Sequence, residues 1–310
     1  MTAIDARGLT KHYATGRAGA HAIRALEDLT LEVREGEIFG FLGPNGAGKS
    51  TFIRLLLGFL HATSGGARVL GLDIAKDTVQ IRRRIGYLPG GIALYDGLTG
   101  ERHLDYLAEL SGRPSVLRAS LCDRLELTER TLRRPIRDYS RGMRQKIGIV
   151  QALQHDPELA ILDEPSEGLD PLMQRAFYEI LDERKAAGRT IFFSSHVLSE
   201  VERVCDRVAV VRAGRLVELD DVATLLARRR RRVEMRLDGP APALEGVPGV
   251  TGLVVDGTLV TCSLEGDPRP FLAALQGAPV ADLVIEPARL EEAFLDLYEG
   301  EAAAEERTSP

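Results

Sequence analysis

The sequence predicts an α/β fold: a mostly parallel sheet with an antiparallel edge subdomain and a helical insertion, followed by a small C-terminal α+β domain. Three observations carry that expectation. Residues 43–51, GPNGAGKST, lie between an apolar run ending at Leu42 and a helical pattern starting at Phe52. Continuously apolar segments then alternate with amphipathic ones, as in a βα series. After a run of five arginines at 228–232, the pattern changes to short segments with no second motif of this kind.

The motif sets the centre of the first domain. Glu37, Ile38, Phe39, Gly40, Phe41 and Leu42 read as a buried strand, and 52–57 as a helix. A strand, a glycine-rich turn ending in lysine and serine, and a helix make a phosphate-binding loop in its required context. Gly43, Pro44, Asn45, Gly46, Ala47, Gly48, Lys49, Ser50 and Thr51 are the candidate cradle. The three glycines let the backbone curl until successive N–H groups face one concavity, and the helix start adds unpaired donors and a positive dipole end. Lys49 is placed to reach the β- and γ-phosphates of a nucleotide, and the Ser50 hydroxyl to ligate Mg2+. An accidental glycine-rich turn is the competing reading, and the strand and helix on either side argue against it.

Ahead of the motif, 4–13 and 21–33 read as strands forming an antiparallel edge. Tyr13 ends the first of them; it fits an adenine-facing aromatic or a half-buried surface tyrosine, and spacing does not choose between them. Residues 65–72 read as a hairpin piece and 85–88 as a strand. From about 92 to 156 the pattern is helical, with Leu104, Leu107 and Ala108, then Leu117, Leu121 and Leu125, at helical steps. Ser140 is a good N-cap for the helix carrying Met143, Ile147, Val150 and Leu153. Residues 159–162 are apolar throughout, as suits a strand covered on both sides. A helix near 171–187, a strand at 190–193, another helix and a strand at 208–211 complete the series.

Domain boundaries follow: 1–227 for the first domain, 228–232 as an arginine-rich linker, 233–300 for the accessory domain, and 301–310 as a disordered tail. In the accessory domain, 233–237 reads as a strand, 253–260 as a hairpin turning at Asp256 and Gly257, 271–275 as a helix and 281–285 as a strand. Leu290, Ala293, Phe294, Leu297 and Tyr298 line a final amphipathic helix. A ferredoxin-like arrangement fits this order. The arginine run reads as a solvated linker, with contact to anionic lipid headgroups as the alternative.

At 310 residues, two domains are expected. A formal charge of −6 gives no field favouring nucleic acid. Cys122, Cys205 and Cys262 are scattered, which fits buried thiols in a reducing compartment rather than disulfides or a metal site. The N-terminus lacks a basic region followed by an apolar core, and no apolar run approaches the ~20 residues that span a bilayer. The expectation is a cytoplasmic protein.

Phosphate transfer also needs a second Mg2+ anchor and a group to position or deprotonate the attacking water. Asp163 ends the 159–162 strand, where it can hold the metal, and Glu164 follows as candidate general base. An Asp-Glu pair alone is most often a solvated strand terminus; the apolar strand before it and the phosphate loop upstream favour chemistry.

The order GPNGAGKST, YSRGMRQK, LAILDEP, SEGLD and SSH resembles the ATPase subunit of an ABC transporter, from about Leu9 to Leu226. The resemblance implies ATP and Mg2+ as ligands. It makes Tyr13 the adenine-stacking aromatic, Ser140 and Gly142 the signature that touches the γ-phosphate held by the opposite subunit, Asp170 part of the loop connecting the two sites, and His196 the switch histidine contacting the γ-phosphate. It further implies a homodimer closing around two ATP molecules and a separate transmembrane permease subunit. Membrane association then comes only through that partner, on the inner face of the cell membrane. Two positions depart from the family pattern: Gly90 stands where glutamine is usual, and the signature reads Ser140, Arg141, Gly142, Met143. Both departures, and the C-terminal extension, are similar to the daunorubicin-type, ABC-2 exporter branch. The rival class is an ABC-type ATPase acting on nucleic acid or ribosomes; the single cassette, the acidic balance and the absence of a long heptad run speak against it.

Overall fold

The structure, a computed structural model, describes residues 1–15, 21–227 and 231–286. The chain divides into two compact units, 1–220 and 221–310. The first opens with β1 (Thr2–Thr15) and β2 (His21–Arg34), paired antiparallel. Both strands outrun the expected 4–13 and 21–33, with β1 starting at Thr2 opposite Arg34. In β3 (Ile38–Leu42) all five residues are buried, as an apolar run between two parallel neighbours requires. The helix α1 (Lys49–Leu56) begins inside the motif rather than at Phe52, so Lys49 and Ser50 occupy its first turn. The strands β4 (Ser64–Val69) and β5 (Leu72–Asp73) extend the antiparallel edge in the order β2-β1-β4-β5.

Next come α2 (Thr78–Arg84) and β6 (Ile85–Leu88). The helical insertion consists of α3 (Gly100–Ser111), α4 (Arg118–Arg124), α5 (Glu129–Leu132), a 3-10 turn at Ile136–Asp138 and α6 (Arg141–Leu153). Local chemistry sets these boundaries. Thr99, Thr128 and Ser140 each cap a helix by accepting a backbone N–H three residues on. Then follow β7 (Leu159–Asp163), α7 (Pro171–Ala186), β8 (Thr190–Ser195), α8 (Leu198–Val204), β9 (Arg207–Arg212) and β10 (Arg215–Asp221). The central sheet has the order β10-β9-β3-β8-β7-β6, and β3 runs parallel to both β8 and β9. Register places Leu42 beside Ser195, and Asp163 beside Ser194. The motif-bearing strand ends therefore emerge together at one edge of the sheet.

Four phenylalanines fix α1 over that edge. Phe39 and Phe41 alternate onto one face of β3, Phe192 of β8 lies beside them, and Phe52 packs down from α1. The Phe41 and Phe52 rings are 4.9 Å apart, and Phe41 and Phe192 5.3 Å. Each buried phenyl contributes about 1.5–3 kcal/mol relative to an exposed one, and here that burial holds the loop at the strand ends.

The second unit starts with α9 (Val222–Ala227). The strand β11 (Arg231–Leu237) begins within the arginine run expected as a linker: Arg231 pairs with Leu264 and Arg232 with Ser263. Alternation explains this, since Val233, Met235 and Leu237 bury while Arg232, Glu234 and Arg236 face out. With β12 (Val250–Asp256), β13 (Leu259–Leu264), α10 (Arg269–Ala274) and β14 (Val280–Ile285), the sheet order is β12-β13-β11-β14, antiparallel throughout. That is the strand order of a ferredoxin-like sheet, but 238–249 holds no helix where that arrangement places its first. The β12–β13 turn lies one residue later than expected, at Gly257 and Thr258, because Asp256 still pairs with Leu259. Phe271 of α10 and Leu244 close a core over β11 and β13. The final amphipathic helix with Leu290, Ala293, Phe294, Leu297 and Tyr298, and the tail at 301–310, lie outside the described residues. All three cysteines are free and buried, and burial pushes each thiol up from its usual range.

Candidate active site

The expected cradle lies at the start of α1. Pro44, Asn45, Gly46, Gly48, Lys49, Ser50 and Thr51 line a cleft of about 480 Å3, with Asp163 and Glu164 opposite. Gly48 caps α1 at φ 105°, and a Cβ there would lie 2.4 Å from the carbonyl oxygen of Ala25. Only glycine reconciles that dihedral with so close a neighbour. At the other end of the loop, a Cβ on Gly43 would stand 2.3 Å from the Val211 carbonyl. Ala47 is buried beneath the loop.

Lys49 is 7% exposed and its ammonium has three partners. It donates to the Gly43 carbonyl at 2.6 Å and to that of Pro44 at 3.4 Å, and lies 3.4 Å from Glu164 Oε1. The Ser50 hydroxyl donates to Asp163 Oδ2 at 3.2 Å. Asp163 is buried at the end of β7, and its other oxygen, Oδ1, has no hydrogen-bond partner among the described residues. An ionised buried oxygen left unpaired is costly, and a cation between it and the Ser50 hydroxyl would remove that cost. Hydroxyl and carboxylate oxygens are the donors Mg2+ prefers. The residues present therefore fit both a triphosphate and its Mg2+.

Glu164 adopts φ 50°, unusual for a side-chain-bearing residue. Its N–H donates to the Ser194 carbonyl at 3.0 Å, which locks the turn beyond β7. The carboxylate is then spanned, with Oε1 near Lys49 and Oε2 at 2.8 Å from His196 Nδ1. Strain held by the surroundings at such a position is a mark of functional sites. The arrangement puts a carboxylate beside the phosphate end of the cradle, where it can orient and deprotonate water.

Other expected residues stand elsewhere. Tyr13 is half-buried under the Lys11 ammonium, 5.3 Å from its ring centre; it does not line the cleft, but its cross-strand partner Ile23 does. Ser140 caps α6, its hydroxyl accepting from Met143 N at 3.2 Å, and Gly142 packs so closely on Gly168 that a Cβ would sit 2.8 Å from that carbonyl. Neither Ser140 nor Gly142 lines the cleft of its own chain. Asp170 caps α7, accepting from Leu172 and Met173 N–H groups. At Gly90, an added Cβ would stand 3.3 Å from Asp163 Oδ2, so the missing side chain leaves the metal-side carboxylate open to the cleft.

Several participants escaped the sequence reading. Arg54, Tyr87, Arg24 and Gly91 also line the cleft. Arg54 stands four residues after Ser50, one turn along α1, a spacing that would have found it. Burial, and secondarily the Asp163 carboxylate, push the Tyr87 hydroxyl up. Gln145 of α6 donates to the Pro165 carbonyl at 2.6 Å, and Arg141 pairs with Glu167, joining α6 to the segment after Glu164.

Comparison with known proteins gives the family. Residues 26–167 match the family described as "ABC transporter". An uncharacterised ABC transporter ATP-binding protein of Synechocystis is 41% identical over 72% of this chain and 64% of its own length. The fluoroquinolones export ATP-binding protein of Mycobacterium tuberculosis is 39% identical over 82% of this chain and 83% of its own. The chain thus spans just under two thirds of the cyanobacterial relative. Among solved structures, the ATP-binding subunit of an ABC transporter is 33% identical with a TM-score of 0.65, over 72% of this chain and 91% of that one. This chain belongs to the ABC transporter family.

Proposed function

We propose that the protein hydrolyses ATP to power export by a separate membrane-spanning subunit, working as a head-to-tail homodimer of the ABC-2 exporter type. One observation carries the hydrolytic reading: the unpaired Asp163 Oδ1 and the Ser50 hydroxyl on one side of the cradle, with Glu164 poised beside Lys49. Mg2+, when bound, neutralises charge on the β- and γ-phosphates. The loop N–H groups and Lys49 bind and orient the triphosphate, with Lys49 exchanging the Gly43 and Pro44 carbonyls for phosphate oxygens. Glu164 then takes the proton of the attacking water, and His196, freed from the Glu164 carboxylate, contacts the γ-phosphate.

Dimerisation is supported by Ser140 and Gly142. They begin a 13-residue helix whose positive end suits an anion, yet they are absent from their own cleft. A second copy related by a two-fold axis supplies that anion, and Asp170 then lies near the joint. Tyr13 flanks the adenine through its place beside Ile23. The mycobacterial relative's name, with its export role, supports the direction of transport. Among the described residues no helix is long and apolar enough to cross a membrane; in this reading a separate partner provides the path, with this chain on its cytoplasmic side. The acidic balance disfavours nucleic acid or ribosomes as the target. Purification from membranes tests the reading: a polytopic membrane protein should accompany the chain, whereas ribosomes or DNA would contradict it.

A further inference from the structure

Glu164 and His196 leave different strands, β7 and β8, and meet at 2.8 Å beyond the last β7–β8 pair, Asp163 and Ser194. Past that point one backbone bond, from the Glu164 N–H to the Ser194 carbonyl at 3.0 Å, still joins the two strands, and the side chains beyond it need other ties. A third carboxylate bridges the gap. In the first turn of α8, Glu200 Oε2 accepts from the Ser195 hydroxyl at 2.7 Å, and Oε1 accepts from the Ser166 hydroxyl. Ser195 directly precedes His196, and Ser166 lies two residues after Glu164. Ser195 Oγ also accepts from Val197 N at 3.0 Å, so its hydroxyl brackets the histidine on both sides. Both serines are buried, at 0% and 3% exposure, so these hydrogen bonds compete little with water. Tyr178 of α7 backs the carboxylate: burial, then the Glu200 charge, push its hydroxyl up, while the Arg203 guanidinium lies 5.3 Å from its ring.

We propose that Glu200 is a positioning residue for ATP hydrolysis, tying the Ser195–His196 segment to the Glu164–Ser166 segment through one hydroxyl on each, and so holding in place the two backbone segments that carry the general base and the switch histidine. It touches no substrate. This rests on the roles given above to Glu164 and His196. Such a brace acts on the geometry of attack and leaves the loop around the phosphates intact.

The test is steady-state ATP turnover of the full chain with saturating Mg2+, alongside nucleotide affinity by titration. Glu200→Ala should lower kcat by about ten- to a hundredfold, the scale of a roughly 1 Å misplacement, with ATP affinity unchanged. Glu200→Gln should recover part of the loss, because its amide accepts from one hydroxyl and donates to the other. Removing both hydroxyls (Ser166→Ala with Ser195→Ala) should reproduce the loss, and adding Glu200→Ala to that pair should cost nothing more. The serine variants also cover the case in which Glu200→Ala fails to fold. Wild-type turnover in Glu200→Ala, or a further additive loss in the triple variant, overturns the proposal while Glu164→Gln and His196→Ala remain inactive. If those two themselves turn over normally, the roles of Glu164 and His196 fall first, and the brace with them.

Discussion

Lys49 has a different set of partners from the one its motif suggests. The sequence pointed its ammonium at phosphate oxygens; the structure shows it meanwhile satisfied by two loop carbonyls and by Glu164. A long, flexible cation can change partners without moving the backbone, so phosphate can replace these partners with the loop's shape kept. Lys49→Ala should weaken ATP binding by roughly ten- to a hundredfold, the equivalent of the 1.5–3 kcal/mol typical of hydrogen bonds to a charged group. Equilibrium titration with ATP and Mg2+ checks this, and unchanged affinity would count against the cradle. At this scale the sequence was most legible where a motif fixes chemistry and backbone together, as from Gly43 to Thr51 and at Asp163 and Glu164. It was silent on Gln145 and on the tie from Glu200 to Ser166, because those partners lie 20 and 34 residues away, whereas Arg54, one turn beyond Ser50, was within reach of its spacing.

The elements follow similar logic. Strands β3, β7 and β8 were readable because burial on both faces forces unbroken apolar runs, and α6 because Ser140 announces its start. Extents were less legible: β1, β2 and β11 run further than expected, since pairing continues through polar residues that face water. Ser140→Ala removes a cap and should cost about 0.5–2 kcal/mol of stability by denaturant unfolding. It should also slow turnover while leaving ATP affinity of the isolated chain unchanged, because in the proposed dimer α6 serves the partner's site; a parallel loss of affinity would place Ser140 in its own. Within the insertion, burial lowers His103 from its usual range, partly offset by its bond to Gln151, and burial lowers His155 likewise. A depressed histidine stays neutral in the fold while the unfolded chain takes up its proton near pH 6.5. Stability is then full above that value and declines as pH falls below it. Thermal melts from pH 7.5 to 5.5 should show the decline, with a shallower slope in His103→Gln; equal slopes would contradict it.

Across the whole molecule, the candidate catalytic groups all come from the first unit, while the second is a four-stranded sheet with its own core. The change of pattern after 227 signalled a second domain. Its start was blurred because arginines can end a linker or lie within a strand, and Arg231 and Arg232 do the latter, Arg232 facing out and Arg231 half-buried. Deleting 233–310 should leave nucleotide affinity unchanged, as titration of the shortened chain would show; a large loss would make the second unit part of the ATP site. In the proposed function, pairing across two composite sites couples the chain to export, and one carboxylate at the phosphate end of the cradle carries hydrolysis. The direct measurement is ATP turnover by Glu164→Gln beside the unaltered protein at saturating Mg2+. Loss of the general base predicts at least a hundredfold slower hydrolysis with ATP still bound; hydrolysis at the unaltered rate would contradict the account.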